Sequence, residues 1–142
     1  MRALFDVNAL LALFDSAHVH HSKAQSWWQS NMLAGWASCP ITQNGFVRVL
    51  SQPRYPKPRS TEEAVRLLRK ATGQTDHSLW PDDISLTDAE HFDTTFLLGP
   101  NQTTDVYLLG LAVHNGGCLV TFDVSLPINA VHGAEQRHLV VL

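Results

Sequence analysis

Three aspartates stand where a carboxylate is hardest to explain by solubility alone. Asp6 interrupts the apolar run Ala3 to Phe14 with only Asn8 for polar company, Asp105 leads into the apolar stretch Val106 to Asn115, and Asp123 directly follows the apolar Cys118 to Phe122. An ionised carboxylate among apolar neighbours is costly unless it is paired or bound to a metal. If the apolar runs are strands and helices of a parallel sheet, all three acids fall at one edge, the crevice where such sheets bind ligands. Like charges gathered there repel, and a divalent cation is the economical reason for them to ionise together. Oxygen donors without His or Cys companions suit Mg2+, with Mn2+ as a substitute, rather than zinc. The chemistry this points to is hydrolysis of a phosphodiester by a metal-activated water. Ordinary alternatives exist for two of the acids: Asp105, beside Thr103 and Thr104, as a helix cap, and Asp123 as a turn residue. Asp6 has fewer such explanations, and the shared topological position of the three carries the argument.

The elements that must position these acids can be read in order. Ala3 to Phe5 predicts a buried strand running into a buried helix. A second helix follows His18, His20 and His21, amphipathic through Ala24, Trp27, Trp28 and Leu33, and Gly35 closes it. Trp36 to Cys39 predicts a strand, and Pro40 opens a helix to Leu50 whose Phe46, Val47 and Leu50 form one stripe with Arg48 elsewhere. Between Ser51 and Ser60, three prolines exclude a helix or central strand, and Arg54, Lys57 and Arg59 make this the one concentrated basic segment. Ser60-Thr61-Glu62-Glu63 is a capping signal for a helix ending at Gly73. His77 to Trp80 predicts a short strand, Thr87 to Glu90 a short helix, and Gly99-Pro100-Asn101 a loop. The residues after Asp105, apolar on nearly every side, predict a buried helix. Cys118 to Phe122 and Leu139 to Leu142 predict the last strands. Strands alternating with helices imply an α/β fold, a three-layer α/β/α sandwich around a mostly parallel sheet.

The length of 142 residues suits one domain, residues 1–142, and 44% hydrophobic with 16% charged residues describes a globular chain with a well-covered interior. With a formal net charge of −3, attraction to a nucleic acid must come from a local patch or through bound cations. Cys39 and Cys118 match neither a zinc pattern nor a disulfide framework, so reduced thiols and a cytoplasmic location are expected. Asp6 and Asn8 break the N-terminal apolar run as a signal peptide, and no stretch approaches the ~18 apolar residues of a membrane span.

Taken together, Leu4-Phe5-Asp6-Val7-Asn8, Ile41-Thr42-Gln43-Asn44-Gly45-Phe46-Val47-Arg48, Thr103-Thr104-Asp105-Val106-Tyr107-Leu108-Leu109 and Leu119-Val120-Thr121-Phe122-Asp123 resemble the PIN-domain ribonucleases, and most closely the VapC toxins of bacterial toxin-antitoxin pairs. The resemblance runs in order over essentially the whole chain. It implies Mg2+-dependent endonucleolytic cleavage of RNA, a homodimer, and neutralisation by a cognate VapB-type antitoxin. It makes Asp6 and Asp105 the principal metal ligands and Asp123 the third acid, with Asn8 and Thr121 orienting ligands or waters. One departure is visible: where the family commonly carries a glutamate, in the helix opening at Pro40, this chain has Gln43, Asn44 and Gly45. An amide offers a carbonyl oxygen without negative charge, so that acidic position is weakened.

Other features have plain readings. The three histidines belong to a solvated helix start, Trp27 and Trp28 to core and dimer contacts, and Asp82, Asp83, Asp88 and Asp93 to turns and caps. Arg48, Arg54, Lys57 and Arg59 are candidates for contact with the RNA backbone. Two rivals to the nuclease remain at this stage. One is a non-catalytic relative that only binds RNA or its antitoxin. The other is a phosphatase of the haloacid dehalogenase type with Asp6 as nucleophile, disfavoured because Asn8 stands where a second Asp is expected.

Overall fold

Five short strands, β1 (Ala3–Phe5), β2 (Trp36–Ser38), β3 (His77–Leu79), β4 (Cys118–Thr121) and β5 (Leu139–Val141), form one sheet in the order β3-β2-β1-β4-β5. The computed structural model describes all residues from Met1 to Leu142. Every pairing is parallel, with Ala3 opposite both Trp36 and Cys118, Ala37 opposite Ser78, and Leu119 opposite Leu139. The expectation of a mostly parallel sheet is met in full.

The continuous apolar character of β1 follows from its central place, because a strand covered on both faces has no polar side. Alternate residues feed two separate cores. Ala3 and Phe5, with Trp36, Cys118 and Val120, pack under α1 (Val7–Phe14), α2 (His21–Asn31), α3 (Pro40–Leu50) and α4 (Thr61–Thr72). Leu4, Ala37 and Leu119 pack on the other face under α5 (Thr103–His114) and the segments around Phe92 and Ala130. This is the three-layer α/β/α arrangement. α5 is buried from Val106 to Ala112, as its all-round apolarity requires.

Local chemistry sets the element ends. The Thr42 hydroxyl accepts the Cys39 N–H at 3.0 Å, with Pro40 at the first helical position. Ser60 and Glu63 form the expected capping box of α4. Both cysteines are buried free thiols. No helix is long and apolar enough to cross a membrane.

Three local expectations are corrected. Thr87 to Glu90 is not a helix: the Asp88 carboxylate accepts the Glu90 N–H at 2.8 Å, an Asx turn that competes with helical bonding, and His91 and Phe92 are drawn instead to His132 and Val131. Pro100–Gln102 is a single 3-10 turn feeding directly into α5 rather than a loop. Leu33 lies beyond α2 in another 3-10 turn and is fully exposed, so it contributes nothing to that helix's apolar face.

Candidate active site

Because all strands run the same way, the residues that follow β1, β3 and β4 lie at one edge of the sheet. Asp6 is the first residue past β1, and its backbone N–H closes the ladder onto Val120 O at 3.0 Å. It is also the N-cap of α1, its Oδ1 accepting the Ala9 N–H at 2.7 Å. Capping therefore explains one oxygen of this buried carboxylate, a local role that sequence reading did not assign to it. Burial pushes its pKa up, against the pull of the Thr121 hydroxyl and of the Ala9 and Asn8 backbone N–H groups, and the charge of Asp123 adds to the push.

Asp105 occupies the third position of α5, not its cap. The cap position belongs to Gln102, whose side chain makes no capping bond. No donor of the chain hydrogen-bonds the Asp105 carboxylate. Burial, then Asp6, then Asp123 push its pKa up to about 6. The favourable field of a helix N-terminus, worth ~0.3–1 kcal/mol, does not offset that repulsion.

Asp123 serves a turn as well as the cluster. Its N–H donates to Thr121 Oγ1 at 3.0 Å, and its Oδ1 accepts both the N–H and the hydroxyl of Ser125, at 2.8 and 2.6 Å. Oδ2 is left without a hydrogen bond. The ordinary reading as a turn residue is thus correct, and it leaves half of the carboxylate available.

The three acids do not close into a tight metal cage. They form an open set supplied only with oxygen, in which Asp6 and Asp123 lie near enough to raise the proton affinity of Asp105, and Asp123 that of Asp6. That donor set fits a hard divalent cation: the half-buried Asp105 carboxylate, with no protein donor and two acids beside it, lacks the positive partner such a position calls for.

The remaining candidates divide. Thr121 is buried beside Asp6, and Asn8 is exposed on α1. Gln43 is tied to β2 through its nitrogen: Nε2 donates to Ser38 Oγ at 2.9 Å, Ser38 Oγ is hydrogen-bonded to His77 Nε2 at 2.8 Å, and the Gln43 carbonyl oxygen takes no hydrogen bond. Asn44 is exposed. Gly45 is pressed against α1, where a Cβ would lie 2.4 Å from Val7 Cγ2, so this turn of α3 has no room for a side chain unless Val7 moves. Arg59 pairs with Asp15 at 3.7 Å, and Tyr55 donates to the same carboxylate at 2.6 Å. This pins the basic loop to the end of α1 opposite Asp6, ~12 Å along an eight-residue helix. Arg48, Arg54 and Lys57 are exposed, and no contact joins any of the four cations to the acids.

Trp27 and Trp28 make the expected core contact, and the histidines lie at the start of α2. Trp27 and Trp28 meet Phe5 edge-on, with ring centroids 5.8 and 6.1 Å away. His21 Nδ1 bonds Ala12 O at 2.8 Å, and His20 lies against the Phe122 ring. Asp82 is the residue that sequence reading undervalued. It accepts the Ile41 N–H at 3.1 Å and the Tyr107 hydroxyl at 2.9 Å, tying the first turn of α3 to α5. Its position just past β3, like that of Asp6 past β1, was the available signal.

Comparison with known proteins agrees with this architecture. The PIN domain family model matches residues 3–130. The chain is 51% identical over 142 residues to ribonuclease VapC44 of Mycobacterium tuberculosis, covering all of both chains. It is 41% identical over 125 residues to ribonuclease VapC38 of the same organism, covering 87% of this chain and 86% of that one. Among solved structures, M. tuberculosis VapC20, a sarcin-ricin loop cleaving toxin, superposes with a TM-score of 0.60 at 12% identity over 87% of this chain and 92% of its own. VapBC2 from Rickettsia felis, bound to a promoter DNA fragment, gives 0.57 at 13% identity over 100% and 98%. The last two support the fold alone. With a family model spanning most of its length and full-length identity to a VapC ribonuclease, the chain belongs to the PIN-domain family, in its VapC-type branch.

Proposed function

We propose that the chain is a Mg2+-dependent endoribonuclease, Mn2+ being a substitute, and the toxin of a VapBC-type pair. It hydrolyses RNA phosphodiester bonds, is neutralised by a cognate VapB-type antitoxin, and works in the cytoplasm as a homodimer. The observation that carries this reading is the Asp105 carboxylate, which has no protein donor and is pushed up to about 6 beside Asp6 and Asp123. A divalent cation held by these three acids would supply the charge that lets them ionise together, activate water for attack and offset the charge developing on the phosphate. The chain's own part is positional. The Ala9 N–H and the Thr121 hydroxyl orient the Asp6 carboxylate, and Ser125 fixes one oxygen of Asp123 and leaves the other for the cation. Asp105, free of any such bond, is where a proton and a cation compete.

That competition has a sign. Asp105 holds its proton below about pH 6, so cation binding must displace it there and weakens as pH falls. Addition of MgCl2 is expected to raise the melting temperature at pH 7.5, with the rise shrinking steadily below pH 6. Differential scanning fluorimetry reads this directly, and an equal shift at pH 7.5 and pH 5 would remove Asp105 from the metal site.

The function itself is tested by incubating the purified protein with structured RNAs in Mg2+, Mn2+ or EDTA, beside Asp6→Asn, which keeps an oxygen to cap α1. Metal-dependent cleavage lost in the variant is expected, together with growth arrest on expression that the adjacent antitoxin gene relieves. Harmless expression and no cleavage with either metal would leave a non-catalytic relative, the reading that the acid-free turn Gln43-Asn44-Gly45 favours.

A further inference from the structure

A hollow of about 340 Å3 is bounded by the first turn of α3, the segment after β3 and the first turn of α5. Its walls join aliphatic surface from Ile41, Ile84 and Leu86 to the Asp82 carboxylate and the hydroxyls of Thr103 and Thr104. Thr104 is the residue immediately before Asp105, so the hollow and the acidic cluster both draw on the first turn of α5. The Thr103 and Thr104 hydroxyls make no hydrogen bond within the chain. Asp82 accepts two, from the Ile41 N–H and the Tyr107 hydroxyl, and a carboxylate has about four acceptor sites, so acceptor capacity remains.

The lining restricts the occupant. It contains no Lys, Arg or His, so a phosphate has nothing to hold it there. An aliphatic peptide side chain would cover the apolar walls and leave two hydroxyls and the spare acceptor positions of Asp82 facing it without a partner. A nucleobase matches both parts, with an apolar ring face and a hydrogen-bonding edge. Because Asp82 can only accept, it favours the exocyclic amino group of adenine, cytosine or guanine over uracil, whose single ring N–H lies between two carbonyl oxygens that a carboxylate repels.

We propose that this hollow is a nucleobase subsite, in which Ile41, Ile84 and Leu86 cover the ring of a base next to the scissile phosphate and Asp82, with Thr103 and Thr104, reads its exocyclic amino group. The subsite deepens the ribonuclease reading and rests on it. It selects adenine, cytosine or guanine over uracil at one position beside the cut.

The test separates binding from cleavage. Isoleucine δ-methyl NMR of the metal-free protein is recorded with adenosine, guanosine, cytidine and uridine, each alone, and cleavage by the Mg2+-loaded protein is mapped on an RNA pool randomised around one cut site. At least one amino-bearing nucleoside is expected to move the Ile41 and Ile84 methyls, and uridine to move them least. Cleavage should discriminate against uracil at one flanking position by about tenfold. Ile41→Trp, which fills the hollow, should abolish that discrimination, and Thr104→Val, on an exposed side chain, should reduce it without disturbing the fold. Methyls unmoved by every nucleoside, or variants that keep the wild-type preference, overturn the subsite and leave the ribonuclease standing. Moved methyls in a wild-type protein that cuts no RNA overturn the ribonuclease and keep a nucleoside site. Variants with unchanged preference that escape the antitoxin assign the hollow to the antitoxin and overturn the base.

Discussion

Asp105→Asn is expected to lower RNA cleavage by about a thousandfold, the scale of losing one charged group from a preorganised site, while making the metal-free protein more stable at pH 7.5. The two effects have one cause. In the folded state Asp105 is pushed up to about 6 by burial and by Asp6 and Asp123, against an ordinary value near 3.8. The folded state therefore holds this proton more tightly than the unfolded chain does. Stability from this group is full below about pH 4, is lost as pH rises to about 6, and stays lost above it. Because the carboxylate is only half-buried, solvent screening reduces the penalty to about 1 kcal/mol, or about 3 °C in melting temperature for a chain of this size. Asparagine keeps the shape and removes the charge, so the variant should melt higher at pH 7.5, and the two proteins should converge near pH 4. Added MgCl2 should stabilise the wild type and not the variant. A variant that melts lower than wild type at every pH, or that cleaves within tenfold of it, would place Asp105 outside the site.

What local sequence encodes and what it cannot are divided cleanly by these residues. The strand-to-helix junction at Asp6, the buried α5 and the strand leading to Asp123 were legible because burial on all sides leaves a continuous apolar run, and an acid interrupting it stands out. Their convergence was legible too, since parallel strands bring their carboxyl ends to one edge. Partners far apart in the chain were not. Asp82 reads as a turn acid until Ile41, 41 residues before it, and Tyr107, 25 residues after it, are seen to bond it. Arg59 reads as a free cation until Asp15 is found beside it. Gln43 reads as a free amide until Ser38 is found to hold its nitrogen, leaving the carbonyl oxygen without a partner. Thr87 to Glu90 failed for a local reason: aspartate and threonine open helices and close turns with the same side-chain bonds, and tertiary pull on Phe92 decided for the turn.

Phe5→Ala is expected to have the largest effect on stability, about 3–5 kcal/mol, a large share of the ~5–15 kcal/mol by which a domain is folded. Phe5 is fully buried in the central strand, with Trp27, Trp28 and Trp36 edge-on to its ring at 5.8, 6.1 and 6.5 Å. Truncation removes the contacts common to three indoles, two held on α2 and one on β2, a void that no single side chain can fill by changing rotamer. The site feels it directly, because the next residue is Asp6, whose N–H holds the last rung to Val120. Tryptophan fluorescence in a urea titration measures the loss, and the same rings report on the packing around the cavity. Phe5→Leu, which keeps most of the volume, should cost roughly 1–2 kcal/mol and retain metal-dependent cleavage. Loss of cleavage in Phe5→Leu with stability intact would mean that the aromatic ring itself sets the position of Asp6, while a Phe5→Ala protein within about 1 kcal/mol of wild type would show that the helices on this face can close over the void, and that β1 is not held from this side.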